Sequence, residues 1–328
     1  MNRPNRISYA FIVLIFVLTG WAHLGVLLLS VLFSYFIISK LDFMKPKARW
    51  LAVAVFLVIL GALAYALTHL IHATVTALPS IAERAVPAIV QWAQDHQIEL
   101  PFTNLETLKD QAMEFAQSQA HNLGTVLDFA RGATTQFIYF LVGCVVAMGL
   151  FLNPNLEMDP PSRAQRDNLY SLCCEEIGRR FATFYQSFAM VMKAQVIIAL
   201  IDSILTGIFV SAMGLSYVMV AVGATFLCGL LPVVGNLLSN TVVVGLGFMV
   251  SPAKGLAALA FLVTIHQLEY ILNSRIIGGK IRSPLWLTLL GLVVGAGLMG
   301  VTGMILAPVI LHYIRIETAE VHVNHKAK

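Results

Sequence analysis

A long apolar stretch in the second half of the chain most constrains its fold. From residue 194 to residue 273, the only charged side chains are Asp202, Lys254 and Glu269. Of the 328 residues, 58% are hydrophobic and 12% are charged, whereas a soluble globular domain has roughly 25% charged residues. Several apolar runs exceed the ~18 residues that a membrane-spanning helix needs. The sequence therefore predicts an all-α polytopic membrane protein, with the lipid bilayer and not nucleic acid as its surroundings.

A helix-breaking segment interrupts this stretch at Pro232, followed by Gly235, Asn236 and Asn240. Proline removes a backbone donor and clashes with the preceding helical turn. Non-helical backbone at membrane depth is tolerated only where protein or a water-filled cavity surrounds it, and broken helices of this kind form the binding sites of many transporters. The alternative interpretation is a proline-kinked helix whose released backbone groups are satisfied locally.

Apolar runs at the two ends of the chain predict short helical hairpins. Positive residues flank both the run from Ile7 to Ile38 and the run from Leu285 to Ile314, and such residues favour the cytoplasmic side. Each arm has about 13–16 residues, which is shorter than the ~30 Å hydrocarbon core. Each run is therefore expected to enter the membrane and return, either re-entrant or packed against neighbours, with both termini in the cytoplasm. Gly291 forms a GxxxG helix-packing motif with the glycine four residues later.

The region after the first hairpin begins with a predicted span from Trp50 to Leu78. Residues 80–133 then carry seven acids and three bases, which suits the extracytoplasmic side. Two amphipathic helices are expected there, the first from Ile81 to Gln97 and the second opening with a capping box at residues 103–106. These helices could cover the outer mouth of the membrane bundle or hold a contact between copies in a homo-oligomer.

A returning span, a cytoplasmic segment and the transmembrane core complete the predicted organisation. Residues 135–152 return to the cytoplasm, and Glu176, Arg179 and Arg180 at helical spacing then predict a solvated charged face. Lys193 and Gln195 are expected to snorkel at the entrance of the next span. Four apolar segments follow, at residues 194–213, 216–231, 237–250 and 255–272. The expected parts of the chain are the N-terminal hairpin and first span (1–79), the extracytoplasmic helices (80–133), the returning span and cytoplasmic helix (134–193), the transmembrane core with the broken helix and terminal hairpin (194–314), and a cytoplasmic tail (315–328).

Polar side chains within the apolar spans are the candidate functional residues, because an ionisable residue in a membrane is a functional hypothesis by default. Asp202 could bind a cation or a proton, and the alternative is a buried carboxyl group bonded to a neighbouring polar side chain or kept protonated. Glu269 shares one helix face with His266 and Asn273, and its alternative is a salt bridge with Arg275. The predicted solute or ion pathway combines these residues with the broken helix, so that Asn236, Asn240 and Glu269 converge; its members are Asp202, Pro232, Gly235, Asn236, Asn240, His266, Glu269 and Asn273.

Other kinds of chemistry find little support in the sequence. It contains no P-loop, GxSxG or HExxH motif, and these are the patterns that carry phosphate binding, acyl transfer and zinc proteolysis. The pair His266-x-x-Glu269 supplies only two metal ligands, and the four cysteines form no CxxC pair. Neither an enzyme nor a resident metal or cofactor is predicted. A proton or Na⁺ is the expected coupling ion.

Three groups of motifs in the second half of the chain resemble those of the autoinducer-2 exporter family. The segment Leu231–Gly235 resembles the Ile-Pro-x-x-Gly motif of that family. The segment Gln267–Asn273, followed by Ile276–Gly278 and Ser283–Leu285, is similar to its glutamate-containing helix end and the proline-led last segment. The segment Gly300–Pro308 is similar to its closing pattern of glycine, alanine and proline.

The resemblance implies a multi-pass transporter of the bacterial inner membrane. Members of the family are linked to export of the furanosyl signal autoinducer-2 in quorum sensing, and some to monovalent cation/proton antiport. The leading hypothesis is a secondary transporter that exports a small polar molecule with an ion gradient, using Glu269 or Asp202 as the coupling carboxylate. One alternative is a monovalent cation/proton antiporter without an organic substrate. The other is a membrane scaffold that binds partners through its extracytoplasmic helices.

Overall fold

The structure, a computed structural model, describes residues 3–41, 49–100, 104, 106–107, 109–110, 126–153, 169–230, 234–276 and 284–319. Every regular element in these ranges is an α-helix. In chain order the helices are α1 (Arg3–Trp21), α2 (Gly25–Lys40), α3 (Arg49–Asp95), α4 (Val126–Leu152), α5 (Leu169–Ala212), α6 (Val218–Gly229), α7 (Val234–Val250), α8 (Pro252–Ile276), α9 (Leu285–Met299) and α10 (Val301–Ala319). Within the described ranges, five of them, α1, α3, α4, α5 and α10, contain segments long and apolar enough to cross a membrane. The predicted all-α polytopic fold is confirmed.

The helices divide between two compact units. The terminal unit contains residues 1–59, 133–192 and 281–328, and the central unit contains residues 60–132 and 193–280. Helices α3, α4 and α5 contribute residues to both units.

Each terminal apolar run divides into two helices joined by a short turn. Helices α1 and α2 are joined by residues 22–24, where His23 has a φ of 54°. Helix α9 ends at Gly300, whose φ of 60° and ψ of −140° lie in a region that glycine adopts without a steric penalty. The turn at Gly300 lets α9 and α10 pack along their length, whereas few residues of α1 and α2 touch each other.

Small residues allow α9 and α10 to pack with their backbones in contact. A Cβ atom added to Gly295 would lie 2.5 Å from the carbonyl oxygen of Gly303, and one added to Gly303 would overlap the carbonyl group of Gly295. A Cβ atom on Gly291 would lie 3.0 Å from the side chain of Leu311. The predicted GxxxG motif therefore packs two arms of one hairpin together.

Aromatic side chains form the core of the terminal unit. Phe188 is fully buried and Phe184 is nearly so. Phe184 meets Phe16 of α1 with ring centroids 5.0 Å apart, and Phe188 meets Phe33 of α2 at 5.1 Å, both edge to face. This geometry suits the ring quadrupole. The N-terminal half of α5 is thereby packed against the first hairpin.

Helix α3 runs without interruption past the predicted end of its span. Residues 81–95, expected as a separate amphipathic helix, are its C-terminal part, although Pro79 and Pro87 lie inside it. Ile81 and Ala85 are buried in the core of the central unit together with Val210 and Leu246. Neighbouring helices can hold a chain helical across a proline when packing outweighs the missing hydrogen bond. Burial therefore overrides the local break.

The C-terminal end of α5 is closed by a Schellman motif. Leu215 N–H donates to the carbonyl of Val210 at 2.9 Å, and Gly214 N–H donates to the carbonyl of Ser211 at 3.0 Å. Gly214 has a φ of 61°, as this motif requires. The ammonium group of Lys254 also donates to the carbonyl of Met213 at 2.6 Å. Lys254 thus has a structural partner at the negative end of a helix.

Two local predictions are corrected by the helix ends. Helix α10 continues to Ala319, and Glu317, expected in the tail, is only 4% exposed. The capping box of the second amphipathic helix is centred on Asn104, whose side-chain oxygen accepts from Thr107 N–H at 2.8 Å while Asn104 N–H donates to Thr107 Oγ1 at 3.1 Å. The expected capping residue, Thr103, and residues 111–125 of the second amphipathic helix lie outside the described residues.

Candidate functional site

The predicted break separates two short helices of the central unit. Helix α6 has 12 residues and ends at Gly229, and α7 begins at Val234. Gly235 is buried, and a Cβ atom on it would overlap the carbonyl group of Cys228, so the start of α7 lies directly against the end of α6. At ~1.5 Å per residue, α6 is about 18 Å long and cannot cross a ~30 Å core. The apolar segment at residues 216–231 therefore contains a helix too short to cross a membrane alone. Pro232 itself lies outside the described residues.

Helix α6 packs antiparallel along one face of α5. A Cβ atom on Gly229 would lie 3.0 Å from Cβ of Ala199, and one on Gly207 would lie 3.1 Å from Val222. Position 229 therefore meets 199, and position 222 meets 207. Asp202 lies between these two contacts along α5 and is 2% exposed. Its Oδ1 atom has no hydrogen-bond partner in the described part of the chain.

Gln195 bonds the end of α6 to α5. Its side-chain Nε2 donates to the carbonyl oxygen of Gly229 at 2.6 Å. Gln195 is half-buried one turn before Ala199, and the sequence-based prediction that it snorkels to the membrane surface is wrong. The last carbonyl groups of a helix lack intrahelical partners, and this amide satisfies one of them. No pattern in the sequence distinguished this role, since the partner is a main-chain atom.

Glu269 lies on α8 at the level of the break. In the α7–α8 hairpin, a Cβ atom on Gly247 would lie 2.9 Å from Cα of Gly255. Glu269 lies fourteen residues after Gly255 on α8, and the start of α7 at Val234 lies thirteen residues before Gly247. Two antiparallel helices rise equally per residue. Glu269 is therefore level with the first turn of α7.

The two buried carboxyl groups lie close enough to affect each other electrostatically. Asp202 and Glu269 are 2% and 9% exposed, and the negative charge of Glu269 is close enough to disfavour a charge on Asp202. His266 also lies near Glu269, with 3.8 Å between its Nδ1 and Oε2 of Glu269, but its side chain is 67% exposed. The structure thus brings the two charged candidates together and leaves His266 at the surface of the chain.

Of the three candidate asparagines, the structure describes the side chain of Asn240 alone. Asn240 is half-buried on α7, about 10 Å along the helix axis from the level of Glu269. The side chains of Asn236 and Asn273 lie outside the described residues. The convergence of Asn236, Asn240 and Glu269 therefore stays a prediction.

The arrangement around Asp202 suits a small cation or a proton. Two carboxyl groups lie near the C-terminal end of α6, and the C-terminus of a helix carries a partial negative charge. Broken helices in transporters use such C-terminal ends and unwound carbonyl groups to coordinate Na⁺ or protons. The same region offers the N-terminal end of α7, whose partial charge is positive and favours an anionic or hydroxyl-bearing group. Both kinds of interaction are thus available at one break.

The terminal unit contains a second buried charge network, which the sequence did not predict. Arg180 is fully buried, and its Nη1 lies 2.5 Å from Oε2 of Glu317. Its Nε donates to Ser8 Oγ at 2.7 Å, and its guanidinium carbon lies 3.4 Å from the ring centroid of Tyr9. Tyr9 also donates its hydroxyl to Glu317 Oε2 at 3.1 Å. The predicted solvated face is therefore wrong for Arg180, although Arg179 is exposed as expected.

A sequence signal for this burial was present. Arg180 precedes Phe184 by four residues and Phe188 by eight. Residues at this spacing share a helix face, so Arg180 lies on the aromatic face while Arg179 lies beside it. A buried charge needs a partner, and that partner, Glu317, stands 137 residues later in the chain.

An apolar cavity of about 640 Å³ occurs in the terminal unit, lined only by residues of α1, α9 and α10. Its walls include Phe16, Trp21, Leu290, Val294 and Ile310. It contains none of the predicted site residues. Because it offers almost no hydrogen-bonding groups, it does not suit a polar solute, and the carboxyl pair remains the better candidate site.

Comparison with known proteins gives a family match and a partial match to a curated protein. The family model described as AI-2E family transporter matches residues 7–319. The Bacillus subtilis (strain 168) protein described as "Putative transport protein YueF" is 38% identical over 95 residues, a match that covers 29% of this chain and 26% of that protein. The aligned part thus spans about a quarter of the curated relative.

Proposed function

Because this chain belongs to the AI-2E family of transporters, we propose that it is a secondary transporter that uses an ion gradient to export a small polar solute. Its place in the family and its apolar helices make it a multi-pass membrane transporter. Autoinducer-2 is the first candidate solute. The proposed location is the bacterial inner membrane with both termini in the cytoplasm, in agreement with the basic residues that flank the terminal hairpins.

The observation that carries the proposal is the buried carboxyl pair of Asp202 and Glu269 beside the end of α6. Two negative charges held near each other away from water repel strongly. Neutralising one of them with a proton or a cation relieves this repulsion, so ion binding is coupled to the local structure. Ionisable groups in membrane segments mark ion pathways and proton relays. A break that moves with the charge state of Asp202 would couple ion flow to solute movement.

Removing either carboxylate is expected to stop coupled transport. We predict that Asp202→Asn and Glu269→Gln each reduce autoinducer-2 uptake into everted membrane vesicles at least tenfold and remove its dependence on an imposed pH gradient. Both substitutions keep the side-chain shape and delete the titratable charge. Uptake of labelled autoinducer-2 in matched vesicles measures the effect.

The matched control is Asp95→Asn, which neutralises an exposed acid at the end of α3 in the same unit. It should leave the uptake rate within twofold of the unaltered protein. Normal pH-dependent uptake in both D202N and E269Q would contradict the proposed coupling role.

The same carboxyl pair also supports a second function, monovalent cation/proton antiport without an organic solute. A site with two carboxyl groups and a helix C-terminus can exchange a proton for Na⁺ or K⁺ without any hydroxyl-recognising group. Everted vesicles energised to an acidic interior separate the two functions. Alkalinisation on addition of Na⁺ or K⁺, lost in D202N, supports the antiporter, whereas ion-independent interior pH together with autoinducer-2 uptake supports the exporter.

The scaffold alternative has weaker support. Residues 81–92 of α3 were expected as part of a partner-binding surface, but Ile81 and Ala85 are core residues, and Trp92 packs against Phe248 with ring centroids 6.1 Å apart. The apolar face of this segment is therefore used inside the central unit.

A further inference from the structure

One hydrogen bond and one close approach hold the end of α6 against α5, at Gln195 and Ala199 of α5. The amide of Gln195 donates to the carbonyl of Gly229 at 2.6 Å. A Cβ atom on Gly229 would lie 3.0 Å from Cβ of Ala199 and 3.3 Å from its Cα, so glycine permits the close approach. Gln195, Ala199 and Gly229 are called here the Gln195 clamp.

The clamp acts at the place where α6 stops. Gly229 is the last residue of α6, and Gly235 of α7 lies against the carbonyl group of Cys228. Any displacement of Gly229 away from α5 would therefore shift the break itself. Asp202 follows Ala199 by three residues and is nearly completely buried, with its Oδ1 unpartnered in the described part of the chain. The clamp therefore sets the distance between the α6 terminus and this carboxyl group.

We propose that Gln195 is a positioning residue for transport, which holds the C-terminal end of α6 beside Asp202. The inference rests on the proposed function in assuming that Asp202 is part of the transport site. Gln195 does not itself touch the solute or ion. A single hydrogen bond contributes modestly to a folded state, so its loss leaves the helices formed but populates arrangements in which the α6 end has moved. Only the aligned fraction binds productively, which weakens apparent affinity in proportion.

The test compares Gln195→Met with Lys193→Met. Met is close to Gln in length and cannot donate to the Gly229 carbonyl, and Lys193 is an exposed residue two positions earlier on α5. Gln195→Asn is a second variant, which keeps the polarity but is too short to reach the carbonyl at the same distance. It serves if Q195M does not fold.

The first measurement is the alkylation rate of Cys228, the residue before Gly229, with N-ethylmaleimide in intact membranes, quantified by peptide mass spectrometry. Cys228 is half-buried, so its reaction reports movement of the α6 end. We expect roughly a fivefold faster reaction in Q195M and Q195N and no change in K193M. An unchanged Cys228 rate in both Gln195 variants would overturn the clamp.

The second measurement is flux in everted vesicles, with autoinducer-2 uptake and Na⁺-driven proton movement as the two probes. We expect the half-saturating concentration of the transported probe to rise about fivefold, while the maximal rate stays within twofold. Faster Cys228 alkylation with an unchanged half-saturating concentration would make the clamp purely structural and overturn the positioning role. If D202N and E269Q leave both fluxes unaltered while Q195M shifts one of them, the carboxylate coupling fails and the clamp stands.

Discussion

Arg180→Ala is expected to destabilise the protein strongly. The substitution leaves Glu317, 4% exposed, without its cation, and removes the bond to Ser8 and the stacking on Tyr9. Breaking a buried ion pair from one side costs about 3–5 kcal/mol, because the remaining charge stays buried and uncompensated. For a protein of this size, this corresponds to a fall in melting temperature on the order of 10 °C. Thermal unfolding in detergent, followed by tryptophan fluorescence, measures the shift.

Two further variants distinguish the loss of the buried ion pair from the effect of substituting any arginine on α5. Arg179→Ala removes the neighbouring cation, which is exposed and pairs with Glu176 at 3.1 Å, and exposed pairs contribute little. It should leave the melting temperature nearly unchanged. The double variant Arg180→Met/Glu317→Met removes both charges and should recover part of the loss. Equal melting temperatures for R180A and R179A would show that Arg180 is not buried with its partner.

Gly303→Val is expected to prevent normal packing of the C-terminal hairpin. The new Cβ atom would overlap the carbonyl group of Gly295, and backbone atoms cannot rotate away as a side chain can. Overpacking costs typically 1–3 kcal/mol and occasionally more, and a contact between two main chains lies at the upper end. We expect a loss of at least about 3 kcal/mol, seen as a lower melting temperature and less monodisperse protein after solubilisation.

The matched control is Gly297→Ala on α9 of the same hairpin. A Cβ atom there has nothing within 4 Å, and alanine favours a helix by up to ~1 kcal/mol relative to glycine. G297A should therefore keep or raise the melting temperature. A normal melting temperature for G303V would mean that α9 and α10 do not approach as closely as their backbones indicate.

Much of the fold could be predicted because lipid leaves few choices for a polar backbone. The terminal hairpins follow from the lengths of their apolar runs and the charges at both ends. The interruption of the central stretch follows from a proline and a glycine at adjacent turns. The path of α3 could not be predicted in the same way, because Pro79 is a local signal for an end whereas the burial of Ile81 and Ala85 depends on partners far along the chain.

The charged residues of the candidate site could be predicted from the sequence, but their uncharged neighbour Gln195 could not. Asp202 and Glu269 stand out because a carboxyl group in an apolar span is costly, and the structure places both in buried positions near each other. Gln195 does not stand out, since an uncharged amide near the end of a span can satisfy its hydrogen bonds in several ways at little free-energy cost. Arg180 was misread because i, i+4 pairs with Glu176 are typical of a solvated helix, and the pattern does not reveal a partner at residue 317.

The Arg180 network can form only after nearly the whole chain has been synthesised. Its members include Tyr9, near the start of the chain, and Glu317, near the end, and their bond joins residues 308 positions apart. At ~5–20 residues per second, the ribosome needs on the order of ten seconds to make the 137 residues from Arg180 to Glu317. Until then the guanidinium group lacks Glu317, its buried anion, and cannot be buried at low cost. Packing of the first hairpin around Arg180 can therefore be completed only after Glu317 has been made. A prematurely terminated chain would keep an unpaired Arg180, and such incompletely folded chains are targets of cellular quality control.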